Sequence, residues 1–162
     1  MNELLNKISS YNIFNYLLPG VVFMAATGAT TTYFPFVNRD VVTLGFLYYF
    51  IGLAISRFGS LVLEPVLQRL SFLPHADYRE YVAAEKKDDR LLVLGEVNNM
   101  YRTLCSLFFV LLLLRVGLAV ENKFPFLKSH NSTMLAVVLL ITFLFAFRKQ
   151  TAYVVKRIKA NA

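Results

Sequence analysis

LLLLRVGLAV (residues 111–120) decides the fold. Four leucines run straight into Arg115, and Val116, Gly117, Leu118, Ala119 and Val120 follow it. So apolar a run belongs in a bilayer, where an arginine at a helix centre costs about 2.5–3.5 kcal/mol. The stretch therefore predicts a membrane-spanning helix with one polar feature that packing alone does not explain. Working outward, the apolar run begins near Leu104 and ends at Val120, about the length needed to cross roughly 30 Å of hydrocarbon.

Three more segments of this kind are present. The sequence predicts spans over residues 13–34, 41–63, 104–120 and 133–147. The last is short and extends by recruiting Tyr153, Val154 and Val155 if Arg148 and Lys149 snorkel. Composition agrees. The 162 residues are 57% hydrophobic, with a mean hydropathy of +0.53, where soluble domains sit near ~45–50% apolar. The first run is a poor signal peptide, because Pro19-Gly20 interrupts it and no clean cleavage pattern follows. The fold class is thus an all-α integral membrane protein forming a single membrane domain. It has four transmembrane helices, with a helical hairpin inserted between the second and third over residues 64–103.

Direction follows from lysine and arginine. Lys7 precedes the first span. The long central insert carries Arg69, Arg79, Lys86, Lys87, Arg90 and Arg102, and the tail (residues 148–162) carries Arg148, Lys149, Lys156, Arg157 and Lys159. The two short connections hold only Arg39, Lys123 and Lys128. The positive-inside rule then predicts a multi-pass protein of the bacterial inner membrane, with both termini and the insert cytoplasmic. The net charge of +7 has the same explanation, so direct nucleic-acid contact is not expected.

The central insert reads as two helices. Asp77 caps the first, with Glu80 at its third position and Tyr78, Tyr81 and Val82 on one side. The second begins near Asp88-Asp89, sets Leu91, Leu94, Asn98 and Tyr101 near one stripe, and runs on into the third span. Acids and bases interleave among the charges Asp77, Arg79, Glu85, Lys86, Lys87, Asp88, Arg90 and Glu96. That interleaving is the usual look of a solvated face. With Tyr78, Tyr81 and the basic tail residues Lys156, Arg157 and Lys159, they form the expected partner-binding surface.

Within the spans, two charges stand out. Arg115 lies about five residues from the outer end of its helix, roughly 8 Å deep. It either snorkels to the outer headgroups or faces the bundle interior, with Glu121 as a partner. Arg57 reads as an anchor at the inner boundary, with Glu64 seven residues on along the same face. Gly52, Ser56 and Ser60 recur every four residues, Gly45 precedes Gly52 by seven, and Gly20 and Gly28 mark the first span. Small residues at such spacing let helices approach closely, either within the chain or at an oligomer seam. Pro19 cannot donate to the Asn15 carbonyl, which predicts a kinked or broken helix start braced by the amides of Asn12 and Asn15. The single cysteine, Cys105, excludes an internal disulfide and reads as a small buried apolar residue.

No enzyme chemistry is legible. His75 and His130 fall on opposite sides of the membrane, and no zinc-ligand spacing or glycine-rich phosphate loop is present. No catalytic residue, metal site or cofactor is expected.

YNIFNYLLPGVVF (residues 11–23) and NNMYRT (residues 98–103), with the four-span layout, resemble the membrane subunit of the Kiwa anti-phage defence system. The resemblance implies a membrane-embedded sensor and scaffold, homo-oligomeric with a tetramer as the working guess. It also implies a cytoplasmic DNA-binding effector as partner. The competing expectation is a pore-forming effector that depolarises the inner membrane, with Arg115 and the threonines Thr27, Thr30, Thr31 and Thr32 along its path. A third is a housekeeping protein of the envelope.

Overall fold

The computed structural model describes residues 11–28, 40–74, 77–88, 90–124 and 130–161. Among the described residues every regular element is helical. In chain order these are α1 (Ile13–Gly28), α2 (Val41–Arg69), α3 (Tyr78–Glu85), α4 (Arg90–Lys123) and α5 (Asn131–Asn161). Helices α2, α4 and α5 are long and apolar enough to cross a membrane. At 1.5 Å per residue the 34 residues of α4 reach about 51 Å and the 31 of α5 about 46 Å. Both therefore outrun a hydrocarbon layer of roughly 30 Å. Helix α1 is apolar over its described length, and residues 29–34 of the predicted first span lie outside the described residues.

Helix α2 is the hub, with α1, α4 and α5 all packed on it. Helix α1 runs antiparallel to it at very short range. A Cβ on Gly20 would collide with the Tyr48 carbonyl, and one on Gly52 with the Tyr16 carbonyl. Two backbones approach so closely only where side chains are absent. On its other flanks, Phe58 stacks on Phe109 of α4 with ring centres 6.1 Å apart, and Phe50 on Phe143 of α5 at 5.8 Å.

The inside of this bundle is small and polar. The buried apolar side chains among the described residues are Pro19, Ile55, Val82 and Leu107, against Asn15, Thr27, Ser56, Ser60, Thr103 and Ser106. Phe46, Phe108, Leu112 and Phe147 point outward. Water would not tolerate this arrangement, and lipid favours it, because hydrocarbon covers large apolar side chains as well as a protein core does. Cys105 belongs to the outward set and is exposed, correcting the expectation of a buried thiol.

Both prolines inside helical runs are absorbed without a break. Ile13–Leu17 and Gly59–Leu63 are single wide π turns, closed by Leu18 N–H donating to the Ile13 carbonyl and Glu64 N–H to the Gly59 carbonyl. Pro19 and Pro65 follow one residue after each closing donor. Widening the turn moves the backbone aside where a proline lacks its N–H and its ring crowds the carbonyl four residues back. The start of α1, expected to be kinked or broken, is unbroken and carries one wide turn at Ile13–Leu17.

The basic segment after residue 147 is not a separate tail, since α5 continues unbroken to Asn161. Helix α2 ends at Leu70 in a Schellman turn. Ser71 takes φ 57°, its N–H donates to the Gln68 carbonyl (3.0 Å), and Phe72 N–H donates to the Leu67 carbonyl (3.0 Å).

Candidate functional site: a polar junction of four helices

At one end of the bundle the polar side chains of four helices converge. The innermost contact joins three of them. The hydroxyl of Thr103 (α4) lies 2.9 Å from Asn15 Oδ1 (α1), 3.1 Å from Ser56 Oγ (α2) and 2.8 Å from the Asn99 carbonyl. One hydroxyl carries one proton. Thr103 therefore donates to Asn15 or to Asn99, and the Ser56 hydroxyl donates to Thr103. Asn15 is 1% exposed and Thr103 fully covered, so these bonds form away from solvent, where an unpaired amide is costly. The π turn at Ile13–Leu17 carries Asn15 into this position.

The next layer is ionic. Glu64 Oε2 accepts from Arg102 Nη1 at 3.1 Å and from Lys149 Nζ at 3.4 Å. Lys149 also donates to the Ser60 carbonyl (2.6 Å) and to Ser60 Oγ (2.8 Å). The second π turn explains that carbonyl contact. Glu64 N–H is engaged by Gly59 and Pro65 has no N–H, so the Ser60 carbonyl has lost both of its helical donors. A lysine from α5 supplies the missing one. Ser106, whose hydroxyl donates to the Arg102 carbonyl at 2.7 Å, packs where any Cβ on Gly59 would stand.

The third layer holds α3. Asp77 caps it, Oδ1 accepting from Arg79 N–H at 2.7 Å. Glu85 accepts from Arg157 Nη1 of α5 at 2.8 Å, and the ring of Tyr78 lies 5.7 Å from that of Tyr153. Helix α3 thus rests on α5 as well as on α4, where the Tyr81 hydroxyl faces Gly95. Burial, then the nearby Glu85 carboxylate, holds the Tyr81 phenol above its ordinary value. Arg79, Glu80, Lys86 and Lys87 are exposed, and Asp88 accepts from Arg90 N–H at 3.0 Å at the start of α4. Glu96 is half-buried, and Lys156 and Lys159 are exposed.

The remaining expected residues scatter. Arg115 is exposed on α4, while Glu121 accepts from Asn131 Nδ2 of α5 at 2.8 Å. Arg57 donates to the Tyr16 hydroxyl at 3.3 Å, and the π turn at Gly59–Leu63 lies between it and Glu64. Gly28 and Gly45 have open space where a Cβ would stand. Thr27 turns its hydroxyl back to the Phe23 carbonyl at 2.9 Å, and Thr30, Thr31, Thr32 and His75 lie outside the described residues. Comparison with family models, curated proteins and solved structures found no match to this chain. Sequence reasoning named neither Thr103 nor the meeting of Glu64, Arg102 and Lys149. The signal was available in part, since a polar residue at the boundary of an apolar run needs a partner, and Thr103, Arg102 and Glu64 all sit at such boundaries.

Proposed function

We propose that this chain is the membrane-embedded sensor and scaffold subunit of a bacterial anti-phage defence system, multi-pass in the inner membrane with its polar junction at the cytoplasmic face. Its role is to hold a cytoplasmic DNA-binding effector. The observation that carries this reading is the surface beyond the junction. Leu94, Val97 and Tyr101 share one face of α4 by their three- and four-residue spacing. Leu94 and Val97 lie past the charged layer and Tyr101 at its edge, and Leu94 and Tyr101 are 60% and 61% exposed. Within the membrane such exposure is covered by lipid. Below the headgroups it suits a protein partner. Helix α3, joined to α5 by the Arg157–Glu85 pair, gives the same end a mixed-charge rim. The sequence resemblance in residues 11–23 and 98–103 supplies the defence context.

The test is the double variant Leu94→Glu with Val97→Glu in the native host. Both positions are outward, so insertion and abundance should stay unchanged. The reading expects a co-purifying protein that binds duplex DNA, its loss in the variant, and a parallel loss of protection in phage plating. Wild-type protection with no such partner, or a partner retained by the variant, overturns it.

A further inference from the structure

The ionic layer of the junction carries more positive charge than the described residues neutralise. Arg102 and Lys149 share the single carboxylate of Glu64. Arg57, close enough for its charge to be felt at Lys149, has only the neutral Tyr16 hydroxyl as its hydrogen-bond partner among the described residues. Three cations against Glu64 and the more distant Glu96, whose charge is felt with that of Arg102 at Tyr11, leave a local charge of about +1 among the described residues. These groups are not free in solvent. The side chains of Arg102, Lys149 and Glu64 are 20%, 27% and 23% exposed. Arg102 Nε is covered and has no acceptor among the described residues, so the guanidinium fork is incompletely used. Partly desolvated cations without matching anions are costly, and an anion from outside relieves that cost. Arg57 and Glu64 are the first charges of α2 after the uncharged run of residues 41–56, and basic pockets between helices near the headgroups suit phosphate groups.

We propose that Arg57, Arg102 and Lys149 form a site for a phosphate group, with Glu64 as an internal carboxylate that partly occupies the same cations. The site takes the phosphodiester of an anionic lipid or free phosphate, and the two are separable by experiment. The inference rests on the membrane-spanning reading, not on the defence assignment, so its test involves purified protein alone.

The protein is placed in nanodiscs of neutral phosphatidylcholine, or of the same lipid with phosphatidylglycerol, and its thermal unfolding is followed by circular dichroism. Anionic lipid should raise the wild-type Tm by a few degrees, and Arg57→Gln should lose at least half of that rise. Glu64→Gln removes the internal anion, so it should melt early in neutral discs and recover more than wild type in anionic ones. Lys156→Gln with Lys159→Gln, two exposed charges remote from the layer, should keep the full rise. A rise retained by Arg57→Gln, or lost equally in the Lys156/Lys159 variant, overturns the proposal in favour of diffuse surface attraction. Inorganic phosphate titrated into neutral discs, against chloride at equal ionic strength, assigns the source. A shift with phosphate points to a soluble ligand, and none points to lipid, provided that the anionic discs stabilise. No shift in either arm overturns the site.

Discussion

Thr103 shows how much a single hydroxyl can hold in lipid. Its hydroxyl is within hydrogen-bond distance of both Asn15 of α1 and Ser56 of α2. Thr103→Val keeps the shape and removes the donor, leaving a buried amide oxygen and a serine short of a partner. The expected loss is about 1–2 kcal/mol, between the average for interhelical bonds in membranes and the cost of an unpaired buried group. Denaturant titration in mixed micelles reads it directly, and Thr103→Ser should recover most of it. Asp40 gives a second residue-scale expectation. Its carboxylate accepts from the Thr43 hydroxyl at 2.7 Å and the Thr43 N–H at 2.9 Å, and the hydroxyl bond is the larger cause of a carboxyl pKa held below its ordinary value. A depressed carboxyl stabilises the fold above the unfolded value of about 3.9. It loses that contribution as pH falls through the lower folded value. Carbon-13 titration of Asp40 should show the depressed midpoint, and Thr43→Val should return it toward normal. Ser71 is strained in the opposite sense, since its φ of 57° disfavours a Cβ by about 1–2 kcal/mol. Ser71→Gly should therefore raise stability by about 1 kcal/mol.

At the scale of elements, glycines separate packing from exposure. Gly20→Ala and Gly52→Ala push a methyl into a backbone carbonyl that cannot rotate away, so each should cost about 1–3 kcal/mol. The pair should be markedly non-additive, because both close the same α1–α2 contact. Gly45→Ala meets open space and should be neutral or stabilising by up to about 1 kcal/mol. If Gly45→Ala instead changes the size of the purified particle, that glycine lies in an oligomer seam. Much of this level was legible in the sequence. Apolar length located three long helices, Asp77 announced the start of α3, and the four-residue spacing of Gly52, Ser56 and Ser60 marked the buried face of α2. The π turns were not legible, because Pro19 and Pro65 signal only a missing donor. How a helix accommodates that loss depends on which neighbour is at hand, and for Ser60 it is a lysine 89 residues away. The same limit hid the meeting of Glu64, Arg102 and Lys149. Charge patterning along one chain gives each residue's level in the membrane and not the rotation of its helix. One extra residue in a wide turn resets that rotation for everything beyond it.

For the whole molecule, the distribution of ties matters more than their number. Asn15–Ser56–Thr103, Glu64–Arg102–Lys149, Glu85–Arg157 and Tyr78–Tyr153 all lie at one end. No residue of the apolar window of α5 is buried, and near its start the helix is tied to α4 through Asn131 and Glu121. If the far end is held less firmly, a change in bilayer thickness or tension splays the helices about this clamp, as the proposed sensor role requires. The stiff junction end is where α3 and the exposed face of α4 stand. Spin labels can test this, with Cys105 first replaced by alanine. A pair on Gln68 of α2 and Thr151 of α5, beside the clamp, should give a narrow distance distribution. A pair on Gly45 and Leu135, near the far ends of the same two helices, should give a broad one that shifts between thin and thick bilayers. Lys149→Met removes the donor to the Ser60 carbonyl and one partner of Glu64, contacts worth roughly 1.5–3 kcal/mol as bonds to a charged group. It should broaden the first pair while leaving the second unchanged. Equal widths at both ends in the wild type would mean that α5 moves as a rigid body with α2, and a sensor built on splaying would then be ruled out.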